Sequence, residues 1–457
     1  MEAGHQRQTI AAIATPPGHG ALAVVRVSGP EVMDIAARLG LDRLEPRRAS
    51  LRRLEHPTGG QAVDRVLATL FPGPDSYSGE DLLEISSHGG SLLPQLVLDA
   101  VLAAGARPAD PGEFTRRAYL NGRIDLLQAE ATADLIEAQS PALARAALGQ
   151  LERGLSRRVE ELRTRLIDAQ ALVAYDIDFP EEDDGPLETA RLDEAVRDLL
   201  ADIDVLLARA PEGEMLREGA LTVIAGRPNA GKSSLFNRLV GFQRAIVTEH
   251  PGTTRDAIEA VVGIDGYPFR LVDTAGLRGG AEEIEELGIE VAKSYLERAD
   301  VVLFCVEAGR PLEPDEESFL SRLQASGRAT ILVRTKADLH AAGVAADGCE
   351  ADARAVRVSV SSGFGIAELG KNMLDAAWSA VRSAPEAPLV TRRRHVRALE
   401  DARRSVDEFE RARQGGLPAE IAVTHLQDAT LRLEELLGAV TTEDLLDRVF
   451  SSFCVGK

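Results

Sequence analysis

Residues 226–233 read Gly-Arg-Pro-Asn-Ala-Gly-Lys-Ser, set between the apolar run Leu221–Ala225 and a helical pattern. Gly226 and Gly231 let consecutive backbone amides turn inward on phosphate oxygens, and the following helix adds the positive end of its dipole. Lys232 is spaced to bridge the outer phosphates and the Ser233 hydroxyl to ligate Mg2+. Asn229, Ala230, Gly231 and Ser234 complete the cradle. The chemistry this pattern supports is binding and cleavage of a nucleoside triphosphate.

Companion motifs follow in order. "TEHPGTTRD" (248–256) supplies Thr254, whose hydroxyl completes a Mg2+ shell and senses the terminal phosphate. "FRLVDTAG" (269–276) reads as a strand that delivers Asp273 to the metal's water shell. The turn after it, Thr274-Ala275-Gly276, brings the Gly276 amide to the terminal phosphate. "ILVRTKAD" (331–338) is a second strand running into a loop. Asp338 there accepts from the two donors of guanine, a pattern that adenine does not present. Lys336 packs over the loop, while Ser359 and Val360 of "VRVSVSSGFG" offer a hydroxyl and amides to the guanine oxygen. Thr335 stands where the usual GTPase signature, Asn-Lys-x-Asp, has Asn. The expectation is weaker base affinity with GTP still preferred over ATP.

One part is missing. The residue after Asp-Thr-Ala-Gly often aims the attacking water, and here it is Leu277, which can hold none. A loose phosphoryl-transfer transition state also needs positive charge between the outer phosphates. Arg278 is an internal finger or a solvated side chain. Asn229 offers another solution, because its side-chain oxygen can bind a monovalent cation beside the phosphates, with oxygens from the 248–254 loop.

These motifs need elements to hold them. Residues 219–380 alternate strand and helix, as in a mostly parallel α/β sheet. Residues 1–120 also mix short strands such as "ALAVVRVSG" with helices such as "PQLVLDAVLAAGA". From Asp125 to about Phe179 the period is helical, rich in Ala and Leu, which predicts a helix pair or bundle arm. A helix over 191–209 leads to "PEGEMLREG", read as a linker, and "SAPEAPL" (383–389) is read as a second. Two or three amphipathic helices then run to about Leu446. Helices on both sides of the α/β block predict a domain inserted into a helical one.

The chain has 457 residues, enough for two or three domains. Cys305, Cys349 and Cys454 form no CxxC pair, which argues against zinc and disulfide frameworks and fits a reducing cytoplasm. No apolar run is long enough to span a membrane, and the start lacks the pattern of a signal peptide. The net charge of −21 opposes diffuse nucleic-acid binding. Thr391–Arg413 is the candidate basic patch for RNA; a solvated helix face is the favoured reading. "PEEDDGP" (180–186) is read as a solvated acidic turn in preference to a cation site.

Several segments together resemble the tRNA-modification GTPases of the MnmE or TrmE family. They include "TIAAIATPPGHGALAVVRVSG", "SYSGEDLLEISSHGG", "PGEFTRRAYLNGRIDLLQAEATADLI", "AGRPNAGKSSLFNRL", "GTTRD", "DTAGLR" and "LLDRVFSSFCVGK", and the likeness runs from about Thr9 to the last residue. The resemblance implies a multidomain protein, α/β plus all-α. Residues 1–120 would dimerise and bind a tetrahydrofolate, and 121–218 with 381–457 would form a helical domain. Residues 219–380 would be an inserted Ras-like P-loop GTPase domain.

The resemblance also implies site roles. K+ would sit on Asn229 with oxygens from Thr248, His250 and Thr253, and Glu285 would orient the water. Arg26, Glu84, Arg123 and Lys457 would bind the folate, with Arg123 in place of the Lys of some relatives. The Cys454 tail would point into that pocket, with a redox or covalent role as the hypothesis the resemblance raises; its Val-Gly-Lys ending is a poor prenylation signal. The implied activity is a cytoplasmic, homodimeric, K+-stimulated GTPase working with an FAD-dependent, MnmG-like partner on carbon five of the wobble uridine of certain tRNAs. The rival reading is a GTP-regulated ribosome-assembly factor, which needs neither the folate segment nor "FCVGK".

Overall fold

The computed structural model describes residues 8–178, 189–242, 258–273, 294–339, 355–383, 389–451 and 453–456. Contacts divide the chain into two units. One gathers Met1–Ala133, Leu151–Thr164 and Thr430–Lys457; the other gathers Asp134–Gln150 and Arg165–Ala429.

The first unit is built on a six-stranded sheet of order β3-β4-β5-β2-β1-β6. Its strands are β1 (Ile10–Ile13), β2 (Leu22–Ser28), β3 (Ser50–Glu55), β4 (Ala62–Phe71), β5 (Leu82–His88) and β6 (Arg107–Pro108). Side chains alternate faces along a strand. In β2, Ala23, Val25 and Val27 are buried while Val24 and Arg26 are only half-buried. The apolar set packs with Val32 and Ile35 of α1 (Val32–Arg38) and Val97 and Val101 of α2 (Leu93–Ala103). Val24 and Arg26 are left on the opposite face. Helix α3 (Glu113–Leu120) and the first turns of α4 (Leu126–Glu137) complete the unit, together with α14 (Glu443–Ser451). Leu126, Ala129, Val449, Phe450 and Phe453 share a small core there.

The second unit holds a six-stranded sheet of order β12-β11-β10-β7-β9-β8. The strands are β7 (Ala220–Ala225), β8 (Ile258–Ile264), β9 (Tyr267–Asp273), β10 (Val301–Glu307), β11 (Ala329–Thr335) and β12 (Val356–Arg357). All pair in parallel except β8, which runs antiparallel to β9 at the edge. All residues of β7 are buried, as expected for a central strand covered on both faces. Ala220 and Ile224 pack with Leu235 of α9 (Lys232–Phe242) and Trp378 of α11 (Ile366–Ser383). Leu221 and Val223 pack on the other side with Leu320 and Leu323 of α10 (Pro314–Ala325).

The helical part differs from the expected pair. Residues 126–178 form three helices: α4, α5 (Pro141–Leu151) and α6 (Gly154–Asp178). Helix α7 (Thr189–Ala208) follows. The stretch read as a linker is instead α8 (Ala210–Glu218). Its Pro211 sits in the first turn, where a missing N–H costs nothing, and Ala210, Gly213 and Leu216 repeat on one buried face. The later helices are α12 (Arg393–Gln414), α13 (Ala419–Leu437) and α14.

The basic stretch 391–413 carries exposed arginines paired with acids of its own helix, Arg404 with Asp401 and Arg411 with Asp407, as the solvated-face reading expects. Arg403 pairs with Asp204 and Arg413 with Asp193, both on α7, while Arg393 pairs with Glu214 of α8. Part of its charge is thus matched by acids of the preceding helices. The acidic turn 180–186 and residues 384–388 of the second linker lie outside the described residues. Among the described residues no helix is long and apolar enough to cross a membrane.

Candidate nucleotide and folate sites

The phosphate loop follows β7, at the carboxyl ends of the parallel strands. Gly226 has φ +142°, and a Cβ there would fall 2.4 Å from the Cys305 carbonyl oxygen. Only glycine lets the loop leave β7 this close to β10. Asn229 takes the left-handed conformation with φ 61°, which Asn tolerates better than most residues. Lys232 is 7% exposed, and its Nζ donates to the Arg227 carbonyl at 2.8 Å. Its ammonium is thus folded back along the loop that would cradle phosphate. Ser233 and Ser234 are exposed at the start of α9. Asp273 ends β9 in register with Ile224 of β7 and is 1% exposed.

The base-recognition strand reaches the same loop. The Thr335 hydroxyl donates to the Ala230 carbonyl at 2.8 Å, with the Val306 carbonyl at 3.4 Å, and the residue is 1% exposed. Thr335 therefore straps the base loop to the phosphate loop, a task for which one hydroxyl suffices. Lys336, in the left-handed region at φ 54°, pairs with Glu307 at 2.9 Å. Ser361 Oγ donates to Asp338 Oδ2 at 3.0 Å, and Ser359 Oγ lies 2.9 Å from Ser361 Oγ. Hydrogen bonds from Ser359, from the backbone and from Ser361 hold the Asp338 carboxyl below the usual carboxylate range. Ser359, Ser361 and Asp338 thus converge on one loop cluster, with Val360 between the two serines in the chain and packed against the core.

Sequence reasoning missed three contributors. Ser361 was legible as the doublet Ser361-Ser362 but carries no spacing signal of its own. Arg227 Nη2 donates to both carboxylate oxygens of Asp315, at 2.5 and 2.6 Å, near the start of α10. Cys305 lies beneath the loop, where burial pushes its thiol up to about 12 against the opposing pull of Lys232. That thiol is inert at neutral pH. Thr248, His250, Thr253, Thr254, Thr274, Ala275, Gly276 and Glu285 lie outside the described residues, as does Lys457.

In the first unit Arg26 and Glu84 stand directly opposite each other on β2 and β5. Arg26 Nε donates to Glu84 Oε1 at 2.9 Å, and its guanidinium lies 5.7 Å from the centre of the Tyr77 ring. Arg123 is placed on the same 75–79 loop, 3.7 Å from Asp75. Asn121 donates to the Ser78 carbonyl at 2.7 Å and so joins that loop to the turn after α3. Beneath it, Arg117 is 5% exposed and binds Glu80 and Glu113. Burial alone would raise Glu113, but bonds from Arg107, the Asp110 amide and Arg117 outweigh it and hold its carboxyl below the usual range.

The C-terminal tail returns to this unit. The Gly112 N–H donates to the Cys454 carbonyl at 3.4 Å. Gly456 lies so close to β1 that a Cβ would meet the Ile13 carbonyl oxygen at 2.6 Å. Its neighbour Ala12 pairs with Arg26. The Cys454 side chain is exposed.

Comparison with known proteins covers nearly the whole chain. The profile described as the GTP-binding protein TrmE N-terminus matches residues 9–123, and the MnmE helical domain profile matches 126–454. A protein of Geobacter sulfurreducens named tRNA modification GTPase MnmE is 42% identical over 454 residues, covering 98% of this chain and 99% of its own. A protein of that name from Moorella thermoacetica is 40% identical over 462 residues, with 98% and 99% coverage. Among solved structures, the G domain of the T. maritima FeoB iron transporter is 27% identical, covering 34% of this chain and 97% of that one, with a TM-score of 0.26. With both profiles matched in sequence and relatives aligned nearly end to end, the chain belongs to the MnmE family of tRNA modification GTPases.

Proposed function

We propose that this chain is a cytoplasmic, homodimeric GTPase that works with an FAD-dependent, MnmG-like partner to place an aminomethyl-type group on carbon five of the wobble uridine of certain tRNAs. A tetrahydrofolate bound in the first unit would supply one carbon. Lys232 and the 229–234 amides hold the GTP phosphates, and Asp338, Ser359 and Val360 read guanine. Ser233 and Thr254 hold Mg2+, with Asp273 ordering its water shell. The donor set suits a hard cation, since an exposed hydroxyl stands at the start of α9 and a buried carboxylate ends β9, the strand paired with β7. A K+ ion would be held by Asn229, Thr248, His250 and Thr253, and when bound it supplies the positive charge that an arginine finger gives elsewhere. Glu285 orients the attacking water.

The observation that carries this reading over a ribosome-assembly factor is the return of the Phe453–Gly456 tail to β1, beside the strand that bears Arg26. A factor that only senses GTP has no use for it. Titration with a tetrahydrofolate derivative tests the reading. Binding is expected for the intact chain, and Arg26→Ala should weaken it roughly 10-fold or more through loss of a charge-assisted contact. No binding by the intact chain would favour the ribosome factor.

GTP turnover should also be faster in KCl than in NaCl at equal ionic strength. Equal rates would remove the cation from the mechanism.

A further inference from the structure

The two ends of the α/β block are tied to one buried carboxylate. Asp134, near the end of α4, is 3% exposed. It receives the Arg392 guanidinium at 2.7 and 3.2 Å, and Arg217 Nε lies 3.5 Å from it. Arg217 sits in the last turn of α8, just before the block begins; Arg392 caps α12, just after it ends.

Backbone contacts tighten the same place. Gly213 of α8 abuts the segment after the block so closely that a Cβ would fall 2.2 Å from the Val390 carbonyl oxygen. Gln150, 4% exposed on α5, donates to the Leu389 carbonyl at 2.8 Å and contacts Thr391 Oγ1 at 3.3 Å.

The other end of α5 touches the block itself. The Ala142 N–H donates to the Gly266 carbonyl at 3.0 Å, and the Pro141 ring packs against Gly266. Gly266 is the tip of the β8–β9 hairpin, and the far end of β9 is Asp273, about 23 Å away at the usual strand rise. The hairpin is paired from Ile258↔Asp273 to Ile264↔Tyr267, so its ends move together.

We propose that Asp134 is a positioning residue: by holding Arg217 and Arg392 it fixes both ends of the block, so that a shift at Asp273 on a change of nucleotide is delivered through the hairpin tip to α5. The block's ends are the fulcrum, the hairpin is the arm, and α5 is the receiver. This rests on the reading that the block binds GTP.

Hydrogen exchange on the intact protein tests it, with GDP and with a non-hydrolysable GTP analogue, each with Mg2+ and KCl. In the natural protein, amides 138–146 should differ between the two nucleotides. Asp134→Asn should shrink that difference by about 5-fold or more, the scale of an ordinary coupling energy. Exchange across β7 and the basal GTPase rate should stay within about twofold, as expected for a site remote from the chemistry. Arg392→Lys, which keeps the charge but loses the fork, should fall between. Identical exchange of 138–146 in both nucleotide states of the natural protein overturns the proposal. So does an unchanged difference in Asp134→Asn, or a loss of protection there that extends through β7, which would make Asp134 merely structural. If neither nucleotide protects 226–234, the GTP reading fails and the proposal falls with it, an outcome distinct from the others.

Discussion

Lys232→Ala is expected to lower kcat for GTP about 10²–10³-fold, the usual cost of deleting one preorganised donor from a charge-stabilising site. The expectation rests on where the ammonium already is. It is almost fully buried and hydrogen-bonded to the Arg227 carbonyl within the phosphate loop, so little reorganisation separates this arrangement from one that meets phosphate oxygens. Negative charge accumulates on the outer phosphates as the transferred group loosens, and a cation fixed in a water-poor loop gains more there than in the ground state. The nucleotide dissociation constant should therefore rise less than kcat falls. Single-turnover hydrolysis and equilibrium binding of a fluorescent guanine nucleotide separate the two effects. Thermal unfolding of the variant checks that the loop still forms. A variant that unfolds at the natural temperature and hydrolyses GTP at full rate would exclude Lys232 from the reaction.

The phosphate loop was readable because its constraints are local. Glycine at 226, a strand before it and a helix after it are dictated by short-range geometry. The place of Asp338 in a loop was readable for a similar reason: it follows closely on the strand Ala329–Thr335. Thr335 shows where such reading stops. Its type suggested a weakened base contact, yet its hydroxyl points at Ala230, a residue 105 positions away. No pattern within the strand reports that contact.

The same holds for α8. Pro211 and Gly213 suggested a linker, but proline is at home in a first helical turn, and the glycine is there because Val390 crosses it. The basic stretch 391–413 was legible as a helix face, but its partners across the fold were not. Charge counts along one helix ignore the acids of its neighbour, and α7 supplies Asp193 and Asp204 opposite Arg413 and Arg403. Arg26 and Glu84 were named only through resemblance. Their pairing is a matter of register between β2 and β5, which the sequence does not display.

Asp338→Asn is expected to invert the choice of base. The carboxylate accepts from both the ring N–H and the exocyclic amine of guanine, whereas an asparagine amide offers one acceptor and one donor. Its NH2 would then face the guanine amine, donor against donor, and one of two base contacts becomes repulsive. Xanthine carries a carbonyl where guanine carries that amine, so the same NH2 meets an acceptor. The ratio of GTP to xanthosine triphosphate turnover should fall by on the order of 10⁴, the discrimination reached when a site is built to hydrogen-bond one donor and meets the wrong partner.

Ser361 sharpens the expectation. Its hydroxyl now donates to Asp338 Oδ2, and in the variant it can donate only to the amide oxygen, which sets the direction of the amide. Ser361→Ala in the Asp338→Asn background should therefore cost part of the gain with xanthine, about 5-fold, the scale of losing one ordinary hydrogen bond. Competition of the two triphosphates in a steady-state assay measures the ratio directly. If Asp338→Asn weakens both nucleotides alike, this carboxylate does not contact the base, and the residue that reads guanine must be sought elsewhere in the loops around it.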